Sequence, residues 1–381
     1  MKKVLVFYAS YGGGHLSAAK SIKQYIEEHY LNTEVQMVDC MKYINKTVEK
    51  LTTGAYREMA KKVPKLWGKV YSASEKGVIG EISKDSNKLM ASKLNKLLQD
   101  MKPDFVISTH PFSSQMTAYL KKKGKINCSL ATVMTDFAMH EQWLIGHEYT
   151  EFFFVSNDSM KEDIVKYGVA SEKIHVTGIP MSSRFFEHFD HDEVCKLMEL
   201  DTQKKVILFF GGGEFGLGKE KTVQVLRSLI QNVPNYQIVA ISGKNEKMKE
   251  EFEKLVADMQ ATNRVKILGF TDKVPELMSI SSVVVTKPGG LTTTESLASG
   301  LPLIIINPIP GQEEENAEFL ERNGAGIWIR KEDNPDEVIP KLFANEERLN
   351  KMRENVKLLS RKNSTEEICK IVLESHFSEM N

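Results

Sequence analysis

Short unbroken runs of apolar and β-branched residues alternate along this chain with longer amphipathic stretches, and that alternation sets the expected architecture. In the first half the runs fall at 4–9, 105–109, 130–134 and 152–155, with a further one at 174–177. In the second half they fall at 206–210, 238–241, 265–268, 283–286 and 303–307. Runs of this kind suit parallel strands covered on both faces. Between them, apolar residues recur at helical spacing. Ala18, Ile22, Ile26 and Tyr30 share one stripe, and Val223, Leu226, Leu229 and Ile230 share another. Alternating strands and helices predict a doubly wound α/β fold.

The two halves open alike, with VLVFYASYGGGHLSAAKSI in the first and VILFFGGGEFGLGKEKTVQVL in the second. Each reads as strand, glycine-rich turn and helix, a Rossmann-type opening. Neither matches G-x-G-x-x-G with a suitably placed acidic residue, so no dinucleotide cofactor is expected. The expectation is two Rossmann-like domains facing each other across a cleft: 1–178, 179–363, and a closing helix over 364–381 that crosses back onto the first. A length of 381 residues suits two such domains.

Charge and cysteine usage narrow the field. With 51 basic and 51 acidic residues, nothing global points to nucleic acid. Cys40, Cys128, Cys195 and Cys369 are scattered, which suggests reduced thiols in a cytosolic protein and no structural zinc. The opening MKKVLVFYASYGGGH has too short an apolar stretch for a signal peptide, and no window suits a transmembrane helix. Any membrane contact is expected to be peripheral.

Candidate chemistry concentrates just past the strands. In SVVVTKPGGLTTTESLASG (282–300) a β-branched run ends in Lys287-Pro288-Gly289-Gly290 before a helix. Two glycines allow a sharp turn and close approach to a ligand, and a helix start suits a diphosphate. Glu295 is then placed to accept hydrogen bonds from ribose hydroxyls; an ordinary strand–turn–helix corner is the plain alternative. In the first half, Gly12-Gly13-Gly14 clear space before His15 at a helix start. ATVMTDFAMHEQWL puts Asp136 and His140 beyond the run 130–134, where open α/β sheets bind ligands. Asp136 reads equally as a base activating an acceptor hydroxyl or as a helix cap. After 303–307, Gln312, Glu313 and Asn316 begin a helix and suit sugar hydroxyls, whereas Glu314 and Glu315 suit the helix dipole. Asp190-His191-Asp192 matches a metal-binding D-x-D but precedes a helix, where capping is the better reading.

Taken in order, GGGH, VMTDF followed by His140 and Trp143, VTGIPMSSRF, GGGEFGLG, TKPGGLTTTE and NPIPGQEEENA resemble glycosyltransferase family 28. The likeness is to the monogalactosyldiacylglycerol synthases and, more closely, the bacterial processive diacylglycerol glucosyltransferases, over about residues 3–375. It implies a GT-B fold, a UDP-sugar donor, inversion at the anomeric carbon and no obligatory metal or other cofactor. Carried onto this chain, the backbone around Phe270 would meet uracil, Glu295 the ribose, and Gly289, Gly290, Leu291 and Thr292 the diphosphate. Gln312 and Glu313 would hold the hexose, with Asn316 supporting that turn, and Gly212 and Gly213 would face the phosphates. Asp136 would be the base and His15 a partner contacting acceptor or phosphate; Gly13, Gly14, His140 and Trp143 would lie on the acceptor side. Glu214 departs from expectation, an acidic residue near phosphates.

Residues 41–76 carry nine basic side chains, Lys61, Lys62, Lys65 and Lys69 among them, against three acidic ones, interleaved with Tyr43, Tyr56, Trp67 and Tyr71. Basic residues with aromatic anchors suit an anionic membrane surface; a solvated helix face is the plain alternative. The leading expectation is a cytoplasmic enzyme on the inner face of the cell membrane. It would transfer a hexose, glucose favoured over galactose, to diacylglycerol or a glycosyl-diacylglycerol. The rivals are transfer to a polyprenyl-linked lipid, a UDP-sugar-sensing regulator without turnover, and a UDP-sugar epimerase of similar fold.

Overall fold

The computed structural model describes residues 1–10, 13–44, 91, 93–212 and 218–374. The chain forms two compact units. The first comprises 1–182, 310–312 and 361 onward, and the second 183–309 and 313–360.

In the first unit, β1 (Lys2–Tyr8), β2 (Thr33–Asp39), β3 (Phe105–Ser108), β4 (Ser129–Val133), β5 (Phe152–Val155) and β6 (Ile174–Val176) form one parallel sheet. Its order is β2-β1-β3-β4-β5-β6. The unbroken apolar run of β1 is explained by cover on both faces. Leu5 and Phe7 pack with Leu94, Leu98, Met116 and Leu130. Val4 and Val6 pack on the other side with Ile22, Ile26, Ile368 and Val372. The helix Gly14–His29 supplies Ala18, Ile22 and Ile26 from the expected stripe, all fully buried. Tyr30, at its C-cap, is half-buried and donates to Glu374 Oε1 at 3.1 Å.

Glu374 ends the last described helix, Ser364–Glu374, which packs within this unit. Ser364 Oγ donates to Ile179 O at 2.8 Å, and Lys2 Nζ donates to Leu373 O. The unit divides from the second after Ser182, four residues beyond the join read from sequence at 178.

In the second unit, β7 (Lys205–Phe210), β8 (Tyr236–Ile241), β9 (Val265–Leu268), β10 (Ser281–Thr286), β11 (Leu303–Ile306) and β12 (Gly326–Ile329) form the other parallel sheet. The order is β12-β11-β10-β7-β8-β9, the doubly wound arrangement of a Rossmann domain. Ile207, Phe209, Val283, Val285, Ile304 and Ile306 line one core face with Leu226, Leu229 and Phe252.

Two strands were not anticipated, β2 and β12, and both lie at sheet edges. Several read strands end one residue sooner than expected. The ladder still reaches further, since Thr109 N donates to Phe7 O at 2.9 Å and Met134 N to Phe154 O at 3.0 Å. Asp190 is a cap: it accepts from Glu193 N at 2.9 Å at the start of the helix His191–Leu197. All four cysteines are free and buried.

Candidate active site

The second sheet reverses its winding between β7 and β10, and open α/β sheets take ligands outside the carboxyl ends of their strands at that point. The helix Gly290–Ala298 starts there. Its N-cap is Gly289, no side chain caps it, and its first turn holds no acidic residue. In the same unit Asp190, Asn245, Asn334 and Asn345 each cap their helices with a side chain. The amino end at 290 therefore keeps N–H donors without a side-chain cap and the positive end of the helix dipole, which suits an anion.

Gly289 has φ −65° and ψ 144°, and neither Gly289 nor Gly290 has a positive φ. The turn thus does not depend on left-handed glycine; the missing side chains leave room beside the helix start. Leu291 and Thr292, next in that first turn, are half-buried. Gly212 does need glycine, with φ +96° just past β7. Gly213 and Glu214 lie outside the described residues. The far end of that loop is tied down by Asn307. This residue leaves β11 at φ +48° and donates through Nδ2 to Gly218 O at 3.1 Å and Thr222 Oγ1 at 2.9 Å.

Around the corner sit three carboxyl or amide side chains anticipated from the sequence. Asn316 is fully buried and donates to Pro288 O at 2.9 Å, so it fastens the helix Gln312–Arg322 to the glycine corner. Glu313 accepts from Ile309 N at 2.7 Å and from Lys287 Nζ at 3.1 Å. Glu295 is half-buried by surface area but closely enclosed, and burial pushes its carboxyl up to about 8. Phe270, beyond β9, is 71% exposed, with Lys244 Nζ 5.4 Å from its ring centre.

In the first unit the winding reverses between β1 and β3, and His15 stands there as the second residue of its helix. Its Nδ1 lies 2.6 Å from Thr109 O. A carbonyl can only accept, so Nδ1 carries the proton and Nε2 keeps the lone pair. Thr135 Oγ1 is 3.0 Å from the same nitrogen, and Thr109 Oγ1 donates to His15 O at 2.9 Å. Burial lowers the His15 pKa to about 4, outweighing the Thr109 hydrogen bond, so the ring is neutral near pH 7. Gly13 holds the N-cap position and Gly14 begins the helix.

The sequence reading missed His110, whose ring meets His15 edge-on at 4.7 Å. It caps the helix Pro111–Lys122 by accepting from Phe112 N at 3.2 Å, and burial, then His15, holds its pKa well below the usual histidine value. Its signal was present: Thr109-His110 directly follows β3, at the switch point. Trp143 is buried, 6.3 Å from the His15 ring, and packs with Met134 and Phe153 beneath it.

Asp136 is half-buried just past β4 and is not a cap; His140 caps the turn that follows, accepting from Gln142 N at 3.2 Å. Burial lowers the His140 pKa to about 4. Residues 310–312 group with the first unit, and within it Gln312 Nε2 donates to Asp136 Oδ2 at 3.1 Å. Lys61, Lys62, Lys65, Trp67 and Lys69 lie outside the described residues. Among the described residues no group of three His, Cys, Asp or Glu side chains could hold a metal ion, and no helix is long and apolar enough to cross a membrane.

Two parallel sheets of Rossmann type, each with polar groups at its switch point, define the GT-B class. Solved structures share it. The structure of S. aureus MnaA with UDP matches with a TM-score of 0.67 and 14% identity, covering 100% of this chain and 98% of that one. Acinetobacter baumannii MurG matches with a TM-score of 0.65 and 15% identity, covering 98% and 100%. At such identities the likeness establishes the fold. Residues 15–181 match the monogalactosyldiacylglycerol (MGDG) synthase family, and 190–359 match glycosyl transferases group 1. The processive diacylglycerol beta-glucosyltransferase of Bacillus licheniformis is 30% identical over 382 residues, covering 100% of this chain and 97% of that protein. The Bacillus subtilis enzyme of the same name is 30% identical over 373 residues, covering 98% and 95%. The chain belongs to the glycosyltransferase family 28 group of diacylglycerol glycosyltransferases, as its motifs indicated.

Proposed function

We propose that this protein is an inverting glycosyltransferase. It moves a hexose, glucose in preference to galactose, from a UDP-sugar to the hydroxyl of diacylglycerol or of a glycosyl-diacylglycerol. It works at the cytoplasmic face of the membrane. The observation that carries the reading is the amino end of the helix Gly290–Ala298, free of side-chain caps and flanked by Glu295 and Glu313. The names of the relatives supply the acceptor class.

In the reaction the acceptor oxygen attacks the anomeric carbon from the face opposite UDP while Asp136 takes the hydroxyl proton. The bond to the diphosphate breaks, UDP departs with that electron pair, and the sugar inverts. Charge building on the diphosphate is met by the helix dipole and the amides at 290–292. No step needs a metal ion, so we expect activity to survive EDTA. Incubation with labelled UDP-glucose or UDP-galactose and diacylglycerol vesicles tests all of this. β-Linked glycolipid formed in the presence of EDTA is the expected product. Unlabelled lipid, or strict dependence on manganese or magnesium, overturns the proposal.

Glu295 gives this site a pH signature. Its carboxyl titrates near 8 when folded against 4.5 in an open chain, because burial disfavours the charge. Between those values the folded state holds the extra proton, so stability falls as pH rises through the window and levels off above it. Ribose hydroxyls donate best to the ionised form, so UDP binding should release protons and tighten from pH 7 to 9. Glu295→Gln keeps the shape and should remove both slopes. Thermal unfolding at pH 6 and 9, with calorimetry in buffers of different ionisation enthalpy, reads them. Unchanged slopes in the variant would mean that another group titrates.

A further inference from the structure

We infer that Lys287 is a positioning residue for hexose recognition, holding the Glu313 carboxylate in the orientation that meets the sugar hydroxyls. The inference rests on the donor site proposed above and concerns a side chain to which that reading gave no role.

Lys287 follows β10 directly and stands two residues before the helix cap Gly289. A surface lysine normally carries its ammonium into water. This one is only 15% exposed, and its partner Glu313 only 18%. Taking both charges out of water is costly unless they meet with good geometry. They do: Nζ lies 3.1 Å from Oε1 and 3.3 Å from Oε2, bridging the two oxygens. A second donor, Ile309 N, makes the third hydrogen bond, to Oε2 at 2.7 Å. The carboxylate is thereby held from two elements, the strand end at 287 and the turn before its own helix. A Cβ on Gly289 would lie 3.8 Å from Glu313 Oε1, so that oxygen sits beside the amino end proposed for the diphosphate.

A carboxylate has room for about four donors, and three of these positions are taken by the protein. What remains can accept from a sugar hydroxyl in one fixed direction. Selectivity among hexoses rests on such directed bonds, because a misplaced hydroxyl leaves a buried charge unmatched. An alternative role for Lys287 is a direct charge contact with the diphosphate. The geometry favours the contact through Glu313, since two of the three ammonium donors are directed at its oxygens. The two roles also differ in a measurable way: a diphosphate contact is felt by UDP itself, whereas a contact acting through Glu313 is felt only when the sugar is attached.

The experiment measures the affinity of the full chain for UDP and for UDP-glucose, with kcat and KM, in Lys287→Met, Lys287→Arg, Glu313→Gln and the Lys287→Met/Glu313→Gln double variant. The expected result is a roughly ten- to hundredfold weaker affinity for UDP-glucose in Lys287→Met, the scale of one charged hydrogen bond, with UDP affinity held within about twofold. Arginine, whose planar fork also bridges a carboxylate, should restore most of the loss. The double variant should bind UDP-glucose no worse than the worse single variant, because both changes remove one shared interaction. Lys287→Met leaves a buried carboxylate unpaired and is the variant at risk of misfolding. The double variant carries neither charge and so escapes that risk. Equal loss of UDP and UDP-glucose in Lys287→Met or in the double variant, or additive losses, overturns the inference while the donor reading stands. A wild-type protein that binds neither nucleotide overturns both.

Discussion

Replacing Asp136 with Asn lowers kcat by about 10²–10⁴-fold, the usual contribution of a positioned general base, and leaves UDP affinity unchanged. Asn keeps the shape of the side chain, and its carbonyl oxygen can still accept from Gln312 Nε2, as Asp136 Oδ2 does at 3.1 Å. What it loses is the capacity to take a proton from the acceptor hydroxyl. The nearest rival is His15, which is neutral with Nε2 unprotonated and so also has a lone pair to offer. His15→Gln separates the two, since only the true base removes the acidic limb of the pH–rate profile when it is replaced. Steady-state kinetics on diacylglycerol in detergent supplies the measurement. Retention of more than a tenth of wild-type kcat in Asp136→Asn would remove it from the chemistry.

The second large effect concerns the membrane. Changing Lys61, Lys62, Lys65 and Lys69 to Gln should weaken binding to anionic vesicles by roughly a thousandfold, at about 1 kcal/mol per basic residue near the surface. Added salt should mimic the change by screening. UDP affinity should hold, and activity on detergent-solubilised acceptor should survive better than activity on vesicles. Trp67→Ala should weaken vesicle binding even in high salt, because burial of the indole is not screened. Unaltered sedimentation of the four-lysine variant with vesicles would send the search for the membrane contact elsewhere.

Much of this arrangement could be read from residues alone because parallel strands buried on both faces leave an unmistakable record. The run Val4-Leu5-Val6-Phe7 divides its side chains between two cores and so has no polar interruption. β2 escaped notice for the converse reason. As an edge strand with half-buried positions it carries Thr33, Glu34, Gln36 and Asp39, and its pattern is that of a surface segment. β12 is only four residues long, begins with Gly326 and is likewise an edge strand. Candidate residues were legible past several recognised strands, as at Asp136 and Glu295, although His110 beyond β3 was passed over. Partnerships between distant residues were not. Nothing in the spacing of Thr109 and His15 says that one orients the other, and Lys287 and Glu313 are 26 positions apart. Side-chain identity announces what a group can do, whereas its partner is decided by how the strands are wound.

The helix Ser364–Glu374 carries a consequence for how the chain is made. Ile368, Cys369, Val372 and Leu373 complete the same core as Val4, Val6, Ile22 and Ile26. A ribosome delivering about 5–20 residues per second exposes Val4 early and Leu373 roughly twenty seconds to over a minute later. The first unit must therefore wait with one face of its sheet only partly covered, by the helix Gly14–His29, while the second, whose strands all lie between 205 and 329, is synthesised in full. The order of completion runs opposite to the order of translation. Truncation before residue 364 should thus injure the amino-terminal unit, leaving the carboxyl-terminal one able to fold and to bind nucleotide.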